Sequence, residues 1–397
     1  MNSSNEANLN LDINKLFLDY FDYPEKGDYN WKLVKEIKQD NQDDIEIALF
    51  LGENNEDKNI TIYVKETKFS YKSNNNEIKR ILKEVYFLVL LRGYDYFAKL
   101  DKIILNKSDS KNRLFLIFKE NTLALSDIIN ISNKNENEKN KIIDNKDLIK
   151  YIIYQISSAL YILHSNNIIH NNLKPNNIFI NNKGRISIAD FGSMSYKDED
   201  SGLCTFFYSS PDFLNDIQKI RDEKSEMWAL GVIILELFLN KIEYFRNKDL
   251  EIDYSVSMKL NILDQLKFTL SKFGVNNSST LEKEKIKEII YDKDEKYKFE
   301  FTEEEKAKIN DENAMDLIKN LLVLNPQKRY SAEEVLQSPY LEDYIQDLPN
   351  LKNIEKPLDY KVNFSQQIDK TQFEKIINNL DFKLNEIIQS NLNFNEY

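Results

Sequence analysis

Few side chain types in this 397-residue chain can do chemistry unaided, and their spacing narrows the choice further. Two histidines, His164 and His170, exclude a multi-histidine metal centre. A single cysteine, Cys204, excludes an intrachain disulfide and a zinc site built from several thiolates. The eight glycines stand at 27, 52, 93, 184, 192, 202, 231 and 274, so neither G-x-G-x-x-G nor G-x-x-x-x-G-K occurs. A Walker-type phosphate loop and a dinucleotide fingerprint are therefore absent. One stretch concentrates the groups that could act together, residues 160–192, "LYILHSNNIIHNNLKPNNIFINNKGRISIADFG". It brings both imidazoles, two lysine amines, several carboxamides and the carboxylate of Asp190 into about thirty residues.

These groups need elements to position them. An apolar fraction of 41% beside 30% charged residues gives the chain a real core, in one large domain or two ordinary ones. The net charge of −12, from 54 basic and 66 acidic residues, argues against nucleic acid and against an anionic membrane surface. The longest apolar runs, Val85–Leu91 and Val232–Leu235, fall far short of a membrane span, and the polar start has no signal-peptide pattern. An intracellular protein, cytoplasmic or nuclear, is expected. Asn-rich stretches at 73–77, 133–147 and 276–280 read as surface loops. Residues 1–10 read as disordered and Leu11–Tyr23 as a short amphipathic helix. From Trp31 to about Lys119 the pattern is mostly strands, Ile45–Leu51, Ile60–Lys65 and Leu114–Phe118 among them, with one helix over Glu77–Leu91. From about 147 helices dominate: Leu148–His164, Met227–Leu239 (apolar nearly all round, hence buried), Ala314–Leu322 and Ala332–Leu336. A β-rich front and a helical back make an α+β, bilobed arrangement.

The stretch at 170–192 resembles the catalytic loop and metal-binding segment of protein kinases, whose pattern is H-R-D-L-K-P-x-N followed by D-F-G. Here the loop reads His170, Asn171, Asn172, Leu173, Lys174, Pro175, Asn176, Asn177, and the second motif Asp190, Phe191, Gly192, thirteen residues on (190 − 177). Further pieces follow in order. "TIYVKE" at 61–66 resembles the V-A-I-K strand and makes Lys65 the phosphate-binding lysine, with Glu84 as its ion-pair partner nineteen residues later (84 − 65). "CTFFYSSPD" at 204–212 resembles the end of the activation segment, with Asp212 where A-P-E has its acid. "EMWALG" at 226–231 resembles D-x-W-S-x-G, and "NPQKRYSAEEVLQSPYL" at 325–341 supplies Arg329 as the partner of that acid. Segments around 83–105, 262–274 and 338–350 resemble the mitogen-activated protein kinases, and the tail 345–397 their C-terminal extension.

The resemblance implies a protein-kinase fold, with a small β-rich lobe over about 31–119, a larger helical lobe over about 120–344, and an extension at 345–397 packing back on the lobes. Residues 1–30 form a partly disordered N-terminal extension. It also shows losses. The position of the catalytic base is Asn172, a neutral amide that cannot accept a proton near pH 7. Aligning Ile37–Ile45 with the glycine-rich loop puts Lys38, Asp40 and Asp43 where glycines let backbone N–H groups approach phosphate. Asn171 replaces the arginine that receives an activation-segment phosphate, and the T-x-Y pair falls on Asp200 and Gly202.

What the resemblance keeps is a Lys65–Glu84 ion pair, magnesium ligands at Asn177 and Asp190, Lys174 in the serine/threonine pattern, and the structural positions His170, Phe191, Asp212, Glu226 and Arg329. Each has a plainer reading: Asp190 as a relic holding a turn, Lys65–Glu84 as a structural salt bridge, His170 as a packed core histidine. The expectation is an inactive serine/threonine kinase homologue acting as a signalling scaffold or allosteric partner of an active kinase or its substrates. ATP and Mg²⁺ binding are expected to be weak or absent. The alternatives are a weakly active serine/threonine kinase and a switch that binds ATP without transferring its phosphate.

Overall fold

The computed structural model describes residues 31–394 apart from 43–44, 55–60, 72–74, 108–110, 119–121, 135–144, 198, 200–204, 217–219, 248–257, 277–281, 348–363 and 365–366. The expected helix at Leu11–Tyr23, the disorder of 1–10, Asp43, Asp200, Gly202 and Cys204 lie outside the described residues. The chain divides into two compact units: Met1–Leu123 with Phe179–Gly192 and Asn353–Tyr397, and Ala124–Ile178 with Ser193–Lys352. Among the described residues no helix is long and apolar enough to cross a membrane.

The first unit is built on a five-stranded antiparallel sheet of order β1-β2-β3-β5-β4. Its strands are β1 (Trp31–Gln42), β2 (Ile45–Asn54), β3 (Thr61–Phe69), β4 (Leu100–Asn106) and β5 (Asn112–Phe118). The β1–β2 hairpin register sets Lys38 opposite Leu49 and Asp40 opposite Ile47. Helix α1 (Asn75–Leu90) follows β3 and buries Ile81, Val85, Leu88 and Val89. Asn75 and Asn76, read from composition as loop residues, open this helix instead. The short β6 (Thr122–Ala124) and α2 (Leu125–Lys134) lead into the second unit.

The second unit is helical. Helix α3 (Lys146–Ser165) is capped by Asn145, whose Oδ1 accepts from Leu148 N at 3.1 Å, so one residue of the Asn-rich stretch terminates a helix. Strand β7 (Ile168–Ile169) follows. From Phe179 the chain belongs to the first unit again, through β8 (Ile178–Asn181) and β9 (Ile186–Ile188), a hairpin turned at Gly184 in the left-handed region (φ 74°); β10 (Ser195–Tyr196), back in the second unit, pairs antiparallel with β7. Beyond it lie α4 (Pro211–Asn215), α5 (Glu223–Leu239), α6 (Met258–Ser271), α7 (Lys283–Ile290), α8 (Glu303–Ile309), α9 (Glu312–Leu321) and α10 (Ala332–Leu336). Every residue of α5 from Ser225 to Leu239 is buried, as its apolar run requires. At Gly231 a Cβ would lie 2.8 Å from Leu321 Cβ, so glycine sets the close approach of α5 and α9.

The tail carries a helix that sequence reading did not single out, α11 (Lys370–Phe394). Phe373, Ile377, Leu380 and Leu384 are buried at helical spacing against α1 and β4. Phe373 is fully buried, with its ring centroid 5.0 Å from that of Phe69 and 5.7 Å from that of Tyr71. Glu374 accepts from Tyr71 Oη at 3.3 Å and pairs with Lys107 Nζ at 2.6 Å. Just before the helix, Ile368 N donates to Asn75 Oδ1 at 3.1 Å, at the first residue of α1. Replacing a buried phenylalanine by alanine costs about 3–5 kcal/mol. Phe373→Ala is therefore expected to shift urea unfolding to lower concentration and to speed amide exchange along α11. Unchanged exchange there would show that the aromatic cluster does not hold the tail.

Candidate functional site

In the first unit, β3 and α1 present Lys65 and Glu84 to each other, with Nζ–Oε1 at 2.5 Å and both side chains largely buried. Burial pulls the Lys65 pKa down, but the charges of Glu84 and then Asp190 lift it more, leaving it above 10.5. Lys65 is thus firmly cationic at neutral pH, and the two predicted nucleotide-binding residues and the predicted metal ligand Asp190 come together. Asp190 sits in the left-handed region (φ 63°), a conformation more open to Asp and Asn than to most residues. Phe191 is fully buried, with its ring 6.3 Å from that of Phe97 in edge contact. A Cβ on Gly192 would lie 2.8 Å from Arg80 Cγ, so the third residue of the motif packs directly on α1. The hairpin carrying this motif is fixed by Ile188, which bonds Tyr96 O at 2.8 Å and accepts from Ala98 N at 2.9 Å.

In the second unit the catalytic-loop residues form a connected network. His170 is fully buried and its Nδ1 accepts from Asn172 N at 3.3 Å. Asn172 Oδ1 accepts from Thr205 Oγ1 at 3.1 Å, Lys174 Nζ donates to the same Thr205 Oγ1 at 2.9 Å, and Asn177 Nδ2 donates to Asn172 O at 2.8 Å. Asn172 is therefore locked with its amide oxygen as an acceptor.

Below this loop, Glu226 in the first turn of α5 accepts from Asn171 N at 2.6 Å through Oε1, while its Oε2 pairs with His164 Nε2 at 2.8 Å. The buried ion pair Arg329–Asp212 closes at 3.1 Å, with Arg329 also donating to Lys224 O at 2.5 Å and Val323 O at 2.9 Å. All five residues expected to be structural are buried.

A small cleft lies against this network, bordered by Asn172, Thr205, Tyr208, Phe213, Arg221 and Glu226. Elsewhere in the second unit, Asp343 pairs with Lys150 at 2.8 Å, and Tyr344 stacks on Tyr154 with ring centroids 4.6 Å apart.

Sequence reading assigned no role to His164 and did not consider Arg221 or Glu236. His164 is the partner of Glu226, and the signal available was its place at the end of an amphipathic helix. Arg221 donates through Nη1 to Asn171 O and lies over the Phe213 ring at 4.1 Å. Glu236, fully buried on α5, accepts from Tyr208 Oη at 3.0 Å and Tyr244 N at 2.8 Å. Burial pushes its carboxyl up to about 8, against the two hydrogen bonds that favour ionisation.

A family model described as the protein kinase domain matches residues 50–341. Mitogen-activated protein kinase pmk-3 of Caenorhabditis elegans is 27% identical over 302 residues, 75% of this chain and 60% of that protein. Mitogen-activated protein kinase mpkB of Aspergillus fumigatus is 30% identical over 221 residues, 53% of this chain and 59% of that protein. Extracellular signal-regulated kinase 2 of Dictyostelium discoideum is 26% identical over 287 residues, covering 68% and 70%. The match thus spans about 60% of the length of the first two relatives. Among solved structures, a MAP kinase from Leishmania major superposes with a TM-score of 0.62 over 90% of this chain and 95% of that one, at 20% identity, a likeness of fold.

Because the Glu236 carboxyl titrates near 8 when folded and near 4.5 when unfolded, its contribution to stability is full below about 4.5 and is lost as pH rises towards 8. The loss is at most about 1.4 kcal/mol per pH unit. Glu236→Gln is expected to flatten this part of the stability profile between pH 5 and 8, measured by denaturant unfolding. An unchanged slope would place the dependence elsewhere.

Proposed function

The chain belongs to the protein kinase family and is MAP-kinase-like within it, and from that premise we propose that it is a catalytically inactive serine/threonine kinase homologue that works by binding protein partners, an active kinase or that kinase's substrates. The observation that carries this reading is Asn172. A carboxamide stands where the family needs a carboxylate base, and its oxygen is held as an acceptor by Thr205. Loss of a positioned base costs about 10²–10⁴ in rate.

The hairpin β1–β2, with no glycine between Trp31 and Leu51, supports the same reading. Side chains at the positions of the glycine loop hinder the backbone approach that a triphosphate needs. Lys65 and Asp190 in the first unit are the residues that would hold ATP phosphates and Mg²⁺, and Asn177 matches the family's second metal ligand in sequence. Their chemistry fits a phosphate-bound cation, and the nucleotide would supply the phosphoryl group. On this reading such binding is weak or absent, and the kept Lys65–Glu84 pair serves the scaffold.

One observation favours a second reading, a weakly active kinase: Lys174, Thr205 and Asn172 remain bonded to one another. Thermal unfolding with millimolar ATP, first with Mg²⁺ and then with chelator, separates the two. A ligand at 100 times its dissociation constant adds about 2.7 kcal/mol, a shift of a few degrees for a protein this size. No shift is expected, and no phosphate transfer from radiolabelled ATP by the wild type or by Asn172→Asp. Phosphate transfer by the wild type would overturn the inactive reading; a magnesium-dependent rise that disappears in Asp190→Ala would keep the weak-enzyme and nucleotide-switch readings alive, and transfer gained only with Asn172→Asp would show that the rest of the site is assembled.

A further inference from the structure

We propose that Asn171 is a phosphate-independent latch that holds the start of the activation segment on the catalytic loop. The resemblance to kinases puts here an arginine whose guanidinium meets an activation-segment phosphate, and its replacement reads from sequence as a plain loss. In the structure the shorter side chain has acquired bonds of its own. Its Nδ2 lies 3.3 Å from Ile169 O, 3.0 Å from Ser193 O and 2.9 Å from Ser195 Oγ. These acceptors belong to strand β7 and to the strand β10 segment that pairs with it. The side chain therefore spans the two strands at the point where the chain leaves the D-F-G motif.

The backbone of Asn171 is fixed from both sides. Its N–H donates to Glu226 Oε1 at 2.6 Å, and its carbonyl accepts from Arg221 Nη1. The residue is 4% exposed and sits at φ 67°, a left-handed conformation that asparagine tolerates better than most residues. A buried amide bonded to two backbone carbonyls and a hydroxyl carries no charge that an added phosphate must complete. The order of Ser193–Lys197, which also draws on the bond from Lys197 N to Asn167 O at 2.7 Å and on the Lys197–Glu223 ion pair at 2.9 Å, thus needs no added phosphate. In the family an arginine makes this order conditional on modification. Here Asn171 makes it permanent, and Arg221, a cation from a different segment, grips the loop from behind. Asn171 is accordingly a positioning residue, acting through β10.

Asn171→Gly is the informative variant. Glycine accepts the left-handed backbone without strain, so the change removes the side chain alone. Hydrogen exchange of the full-length protein, expressed with a phosphatase and shown by mass spectrometry to carry no phosphate, reads the result. The latch predicts that Tyr196 and Lys197 amides are protected in this unphosphorylated wild type. It predicts that Asn171→Gly speeds their exchange about tenfold or more, while core amides of α5 change far less. Ser195→Ala, which removes a single acceptor, is expected to give a smaller loosening at the same amides. It keeps the test open if the glycine variant does not fold. Fast exchange at Tyr196 and Lys197 in the unphosphorylated wild type would overturn the proposal. So would unchanged exchange at these amides in both variants, or a loss spread evenly over α5, which would make Asn171 an ordinary packing residue.

Discussion

A carboxylate sealed inside a helical interior is stable only if its lone pairs are engaged, and Glu226 meets that demand in a way that organises the second unit. One oxygen holds the backbone of Asn171 and the other His164 at the end of α3. Because α5 is buried along almost its whole length, the carboxylate cannot turn to solvent. The loop must come to it. That fixes the left-handed turn at Asn171, and from there the placing of Asn172, Lys174 and Asn177 follows through short bonds within a few residues of one another. The family keeps an aspartate at this position. The extra methylene of Glu226 is accommodated with both contacts made.

The first unit depends on a different pairing. Lys65 and Glu84 neutralise each other across β3 and α1, with Asp190 adding to the field at the lysine. A buried ion pair offsets the cost of its own desolvation only when geometry and neighbours are right, and it is costly to break by removing one partner. The pair is made in the first unit although the second carries Asn172 where the family has its base. The charge geometry around Lys65 has a structural value of its own, whereas a base at Asn172 has value only for transfer.

Much of this was legible in the sequence because it is carried by local pattern. The strands over 45–51 and 114–118 and the helices over 77–91, 148–164 and 227–239 announced themselves by period and apolar content, and each is found within a few residues. Lys65–Glu84 and Asp212–Arg329 were readable from motif order, though 19 and 117 residues apart. The role of His164 was hidden because it depends on a residue 62 positions away in a helix whose packing had first to be known. The bonds of Asn171 were not legible, since the destinations of its amide lie 22 and 24 residues downstream. Helix α11 was missed for a simpler reason. Phe373, Ile377, Leu380 and Leu384 carry the helical period, but no kinase motif marks the stretch.

That the first unit is assembled from three separated stretches of chain has a consequence for how the protein is made. Phe69 and Tyr71 acquire their aromatic partner Phe373 only after some three hundred further residues have been synthesised. Until then the apolar faces of α1 and β4 emerge from the ribosome without their cover. The intervening helical unit can complete its own core first, because domains fold as units during synthesis. The β-rich unit therefore closes last, across long loops whose ordering is entropically slow. During that interval, the nascent chain carries exposed hydrophobic surface, the kind of substrate that chaperones retain.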